Sequence, residues 1–417
     1  MSWLTLFASF YIIVTNISYM PIEFFGSGIG PLKLLTMGVA TLMMFSIEFK
    51  FSKAMVCGIL YLGSQFFAAS LHQESWRWMT LLFSVGLVCS YICMYNLIYE
   101  AKVFAIDQFI LLVKGLMFAY FVVCIVQQIC IISGITEMPL FNLFQLKRGL
   151  GCNSLSLEPS HFARIMLVCY YCYVKCCEYK RGQGRLTIRD LVSGEHKWVT
   201  IRFLWMMTTM GSGTAYGCLI LFSLYFVSKR NYGLVLPLLL AGYIGLQFLP
   251  QPEQMQRATL LINTTLTTRD VIQMRKVEGS GSLRIAPLIN SLNADFTKEE
   301  TWFGHGIDYA KDNNLVVKQK ATLFDDYGFI FFLCAILFNF ACAYRFFSLA
   351  AVLFAAGVCG GAGSNIHYAW ALMVLMTCER YFYEQYHIQS LMEARLGIRK
   401  GSLSDQRNGI NFRHQQL

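Results

Sequence analysis

The chain alternates between long apolar runs and short polar interruptions. Asp, Glu, Lys and Arg are absent from Met1 to Ile22, Ala54 to Gln73, Trp78 to Tyr99, Gly115 to Thr136, Phe203 to Ser228 and Asn231 to Pro252. Each run is close to the roughly 20 residues that a helix needs to cross the hydrocarbon of a membrane. Buried helices of a soluble protein would not supply so many uncharged stretches of that length. The pattern predicts helices over 3–21, 31–47, 54–71, 78–98, 107–133, 158–176, 198–212, 214–228, 232–249, 323–343, 346–360 and 364–379. Glycine sets two of the boundaries. Gly211-Ser212-Gly213 splits one long stretch and Gly360-Gly361-Ala362-Gly363-Ser364-Asn365 splits another, both as turn signals. The expected fold class is an all-α integral membrane protein of about 12 transmembrane helices.

Charge then fixes an orientation. Only 14% of the residues are charged, where a soluble domain carries about a quarter. With the amino terminus inside, the inner segments hold Lys50, Lys53, Lys102, the set from Lys175 to Arg202, Lys229, Arg230, Arg345 and the six basic residues from Arg380 onward. The short outer loops then hold only Lys33, Arg77, Lys147 and Arg148. The positive-inside rule decides for this arrangement, with both termini cytoplasmic. The chain divides into N-terminal helices 1–134, an outer loop 135–157, central helices 158–249, a large outer loop 250–322 that is expected to be structured, C-terminal helices 323–380 and a basic cytoplasmic tail 381–417. The net charge of +10 requires no nucleic-acid partner, and the tail suits a surface of anionic membrane lipid. The amino terminus has no basic n-region and no small-residue cleavage site before Pro21, so it is expected to be the first span. The fifteen cysteines lie mostly inside the apolar runs, where cysteine acts as a small hydrophobe; no metal is expected.

Candidate chemistry is confined to a few polar residues on the outer face. Before the sixth helix stand Lys147-Arg148-Gly149-Leu150 and then Glu158-Pro159-Ser160-His161-Phe162-Ala163-Arg164. Pro159 suits the first turn of a helix, and Glu158 then sits at the positive end of its dipole. Arg164 lies about a turn and a half further in, where a charge marks a functional site unless it pairs with Glu158 or snorkels to the headgroups. The large loop supplies Arg257, Arg269, Arg275, Lys276 and Arg284. From Ser282 it reads as an amphipathic helix with Ile285, Leu288, Ile289 and Leu292 on one stripe, which would hold Arg284 near the headgroups. Guanidinium groups there suit a phosphate or pyrophosphate, which the planar fork binds in a bidentate way. No acid falls in the middle of a predicted span, which counts against a proton- or sodium-driven transporter.

Three of these segments resemble motifs of the bacterial O-antigen polymerase (Wzy-type) family, within the wider polymerase and O-antigen ligase superfamily. Arg148-Gly149-Leu150 with Glu158-Pro159-Ser160 is similar to an R-G-x…E-P-S signature. Gly211-Ser212-Gly213-Thr214-Ala215-Tyr216 resembles an S-x-S-R/G-T-A turn. Arg284, followed by Trp302-Phe303-Gly304-His305-Gly306-Ile307 and then Asp326-Tyr327-Gly328, is similar to the end of the family's large loop. Two departures stand beside these matches. The family often has Arg where this chain has Gly213, and its ligases carry a His just before the next helix, whereas no His occurs here between His305 and His367. The resemblance implies an inner-membrane glycosyltransferase with its site facing the periplasm. Its substrates would be undecaprenyl-pyrophosphate-linked glycans, it would need no cofactor, and a polysaccharide chain-length regulator is an expected partner. Pyrophosphate binding would fall to Arg148, Arg164, Arg275 and Arg284. Glu158, His305 and Asp326 are the candidates for acid–base work. Ligase and transporter remain the alternative readings.

Overall fold

In the computed structural model, residues 2–17, 31–46, 51–135, 151–182, 184–226, 279–315, 320–358 and 367–395 are described, with a few single positions between them. The expected span 232–249, Arg148, Arg275 and the tail beyond Arg395 lie outside the described residues. Among the described residues the secondary structure is entirely helical. The long helices are α1 (Trp3–Asn16), α2 (Pro31–Ser46), α3 (Lys53–Leu71), α4 (Trp78–Tyr99), α5 (Ile106–Ile132) and α6 (Pro159–Arg181). A short α7 (Ile188–Val192) leads to α8 (Lys197–Thr209) and α9 (Gly213–Ser223). After the gap come α10 (Gly279–Leu292), α11 (Glu299–Phe303), α12 (Tyr309–Asp312), α13 (Gly328–Cys342), α14 (Leu349–Val358) and α15 (His367–Arg395).

Among the described residues, α3, α4 and α5 are long and apolar enough to cross a membrane. Their surroundings differ. The apolar stretch of α4 is mostly buried by other helices, whereas α5 leaves Leu111, Phe118, Val122, Ile129 and Ile132 on the outside. An uninterrupted apolar stripe of that kind would be an aggregation liability in water and is ordinary against lipid tails. The described residues are those of a helical membrane protein.

Polar ties between helices fix their directions. Gln65 on α3 donates to Ser84 on α4 at 3.0 Å, Tyr91 on α4 meets Thr377 on α15 at 2.8 Å, and Cys172 on α6 donates to the Leu375 carbonyl at 3.6 Å. Lys180 on α6 reaches Asp107 on α5 at 2.7 Å. The starts of α4, α6, α9, α13 and α15 therefore gather at one end of the bundle, together with the ends of α3, α5 and α8. That end is the site end.

The connector into α6 departs from the loop that its polar letters suggest. Cys152, Asn153, Ser154 and Ser156 are all buried. Gln127 on α5 donates to Asn153 Oδ1 at 3.2 Å and accepts from the Ser154 amide at 2.8 Å. Ser154 Oγ donates to the Tyr120 carbonyl at 2.6 Å, and Tyr120 donates to the Asn16 carbonyl at 2.5 Å. Tyr120 lies twelve residues before the end of α5, or about 18 Å at 1.5 Å per residue. Non-helical backbone at such depth survives only where protein satisfies its polar groups, which these side chains do. The segment 151–157 is thus an internal polar seam.

Helix α15 also exceeds its expected length. It runs unbroken past residue 379 to Arg395. Charged residues end an apolar run, but they do not end a helix: Arg380 pairs with Glu384 at 2.9 Å, one turn on. At this opposite end Glu379 is fully buried and accepts from Arg345 at 2.8 Å and from Tyr179. The Arg345 guanidinium also covers the Tyr383 ring, 3.7 Å from its centroid.

Candidate functional site

The first two turns of α6 carry Glu158, His161 and Arg164. Pro159 occupies the first helical position and Glu158 is the N-cap in extended backbone. Steps of three residues keep successive side chains on one side of a helix, so the three form a line running inward from the site end. Ser160 Oγ donates to Glu158 Oε2 at 3.0 Å, and His161 Nε2 stands 4.0 Å from the same oxygen. Arg164 turns away from Glu158. Its Nη1 donates to the hydroxyl of Tyr368 at the start of α15, with the guanidinium carbon 5.9 Å from that ring's centroid. His161 packs on the other part of the same ring, with centroids 4.4 Å apart. Tyr368 therefore touches both cation-forming side chains. Arg164 Nε is buried without a hydrogen-bond partner among the described residues, so one donor of the guanidinium fork is left unsatisfied there.

The Gly211-Ser212-Gly213 turn lies at the same end, between α8 and α9, and α9 packs against α6. Gly211 takes φ +69°, a left-handed conformation that glycine adopts without strain. Tyr216 donates back to the Thr208 carbonyl at 3.2 Å and closes the turn.

A second cluster is built from the segment 302–312 and the turn 325–328. The His305 amide donates to the Asp325 carbonyl at 2.8 Å and the Gly306 amide to the Asp326 carbonyl at 3.0 Å. Gly304 has φ +79°, and a Cβ on it would lie 2.5 Å from the Asp326 carbonyl oxygen. The His305 ring stacks on Tyr309 at 4.3 Å, and its Nδ1 is 3.3 Å from the Asp325 carbonyl. Asp326 Oδ1 accepts from the Ala310 amide at 2.9 Å. The cluster is anchored to the short α3–α4 connection: Arg77 bridges Asp308 at 2.8 Å and Asp312 at 2.5 Å, and the Ile307 amide donates to Ser75 Oγ at 3.2 Å. His305 and Asp326 are thus occupied in holding this clasp. Substituting Gly304 by alanine forces a left-handed residue against fixed backbone, and the strained φ alone costs on the order of 1–3 kcal/mol. The expected result is faster proteolysis between 293 and 327 with the helices intact.

Burial pushes the Asp326 carboxyl up to about 6; the Ala310 amide opposes this and the charges of Asp308, Asp325 and Asp312 reinforce it. A carboxyl raised above its ordinary value favours the fold when protonated, so the contribution of Asp326 to the clasp is fully present below about 4 and is lost as pH rises through about 6. Asp326→Asn keeps an oxygen for Ala310 without the charge. The variant should lose this pH dependence, read as amide exchange of 304–312 across the interval.

Of the residues singled out in the sequence, Glu158 and Arg164 share the α6 face, while His305 and Asp326 share the clasp. Arg284 lies on α10, with its side chain outside the described residues. That helix forms where expected, but the face it turns inward is the small and polar one. Ala286 and Ser291 are buried and Leu288 and Leu292 are exposed. Asn290 donates to the Ala321 carbonyl at 2.9 Å and Ser291 Oγ accepts from the Leu323 amide at 2.8 Å. An outward apolar stripe on a helix beside the bundle suits the membrane boundary. Sequence reasoning passed over His161 and Tyr368. The three-residue spacing from Glu158 was a usable signal for His161; nothing marks Tyr368, which lies 204 residues beyond Arg164 in the chain. Among the described residues no group of three or more His, Cys, Asp or Glu could hold a metal ion.

No protein family, no curated protein and no solved structure matches the chain.

Proposed function

We propose that the protein is an inner-membrane polymerase of lipid-linked oligosaccharide repeat units, of the O-antigen polymerase kind. About 12 helices would cross the membrane, with both termini cytoplasmic and the site end facing the periplasm. The observation that carries the reading is the Glu158–His161–Arg164 line on α6. It combines a guanidinium held by Tyr368, with a buried donor to spare, and two groups able to accept a proton, all at the end of an apolar bundle.

In the reaction, the growing glycan leaves undecaprenyl pyrophosphate and joins the terminal sugar hydroxyl of a new lipid-linked unit. The lipid pyrophosphate departs readily once its developing charge is stabilised. Arg164 would do this by electrostatic stabilisation from a preorganised donor, without a metal. Arg148, Arg275 and Arg284 are proposed to complete the pyrophosphate seat. Glu158 lies at the positive end of α6 and is proposed to act in proton transfer. Because a sugar–pyrophosphate bond is activated, positioning of the two lipids supplies much of the rest.

The test is deletion of the gene followed by electrophoresis of the surface polysaccharide. A polymerase deletion leaves core capped by one repeat unit. Bare core with accumulated lipid-linked polymer would assign a ligase, and units trapped on the cytoplasmic side would assign a transporter. Either result replaces this reading.

A further inference from the structure

We propose that His161 takes the proton from the acceptor hydroxyl, and that Tyr368 is the positioning residue that orients both His161 and Arg164. The inference rests on the polymerase reading and names the proton path within it.

The geometry separates two tasks along the α6 face. Arg164 is bound through Nη1 to Tyr368 and keeps its buried Nε as a donor for an oxyanion. His161 is fixed by its ring against Tyr368, 4.4 Å between centroids, and presents Nε2 to Glu158 at 4.0 Å. Glu158 is half-exposed and already accepts from Ser160. In this order the imidazole stands between the carboxylate and the guanidinium, so a hydroxyl nucleophile attacking a sugar whose pyrophosphate lies on Arg164 meets His161 before Glu158. The groups against the imidazole include Glu158 on its own helix and Tyr368 on α15, and Arg164 meets the same tyrosine.

The acceptor oxygen forms a bond to the anomeric carbon as the bond from that carbon to the pyrophosphate oxygen breaks. The electron pair leaves with the pyrophosphate, whose charge Arg164 offsets. The hydroxyl proton passes to His161 Nε2, and the Glu158 carboxylate stabilises the resulting imidazolium. The proton then leaves through half-exposed Glu158 to water.

A pH profile separates the two bases. An imidazole titrates at about 6.5 and a glutamate at about 4.3 in the absence of perturbation. The experiment uses membranes of the deletion strain, loaded with its own accumulated lipid-linked units and complemented with each variant. The wild type should gain rate as pH rises through the imidazole range. His161→Gln should lose at least about 100-fold, the usual contribution of a general base, together with that ionisation. His161→Ala should recover part of its rate on addition of imidazole, which a structural role would not allow. Glu158→Gln should be slower yet keep the imidazole ionisation. Tyr368→Phe should raise the KM for the donor, through a loosened Arg164, and leave the pH profile unshifted.

The proposal falls if His161→Gln keeps a near-normal rate. It also falls if that variant is slow but retains the ionisation. Should the His161 variants not accumulate in the membrane, a wild-type ionisation in the carboxylate range would overturn it. A wild-type protein that restores no polymer at all defeats the polymerase reading itself, a result distinct from each of these.

Discussion

Arg164→Lys is expected to lower glycan transfer by about 100-fold or more at normal protein level, the scale seen when one preorganised donor is removed from a developing anion. The charge survives the change, so a purely electrostatic role would tolerate it. The fork does not survive. In the structure one arm of the guanidinium is committed to the Tyr368 hydroxyl while Nε stays buried and free to donate. An ammonium on a flexible stem can satisfy the tyrosine or reach an oxyanion, but it cannot hold both directions in one plane. The rate should be measured on the accumulated lipid-linked units, with the amount of protein in the membrane as control. A lysine variant as fast as wild type would show that the charge suffices and the fork is not used.

The second large effect is on stability. Glu379→Ala leaves Arg345 facing a buried site with its main partner gone, and breaking one side of a buried ion pair costs about 3–5 kcal/mol. Glu379 has no exposed surface, and Arg345 holds it at 2.8 Å while lying over Tyr383. The expected reading is a clear fall in unfolding temperature in detergent. Replacing both residues by apolar ones of similar size, as in Arg345→Met with Glu379→Leu, should recover most of the loss, because the desolvation penalty goes with the charges. If the single variant is as stable as wild type, the pair contributes nothing.

How far the sequence disclosed this molecule depended on what each stretch had to satisfy. The expected helices 54–71, 78–98 and 107–133 agree with Lys53–Leu71, Trp78–Tyr99 and Ile106–Ile132 to within a residue. An uncharged run of membrane length has few other options. Helix α15 outruns its expected end because Glu379 and Arg380, which look like the end of a span, find partners in Arg345 and Glu384. The 151–157 connector read as an outer loop because Asn, Ser and Cys are loop letters. Only the fold supplies the Gln127 and Tyr120 groups that let it be buried. At the site, local spacing gives the α6 line, while Tyr368 becomes visible only once α6 and α15 lie side by side.

The buried connector bears on the order in which the chain assembles. A hairpin of α5 and α6 entering lipid brings acceptors for this segment with it: the Ser154 amide donates to Gln127 and its hydroxyl to the Tyr120 carbonyl, both on α5, while the Ser156 amide donates to the Asn153 carbonyl. Each unpaired group would cost several kcal/mol in hydrocarbon. Partners from outside the hairpin answer α5 itself, the Asn16 carbonyl of α1 accepting from Tyr120 and Thr209 of α8 accepting from Gln128. The polar seam can therefore close as soon as α6 lies against α5, before α8 docks. A nascent chain halted after α6 and before α8 should already shield Cys152 from water-soluble thiol reagents.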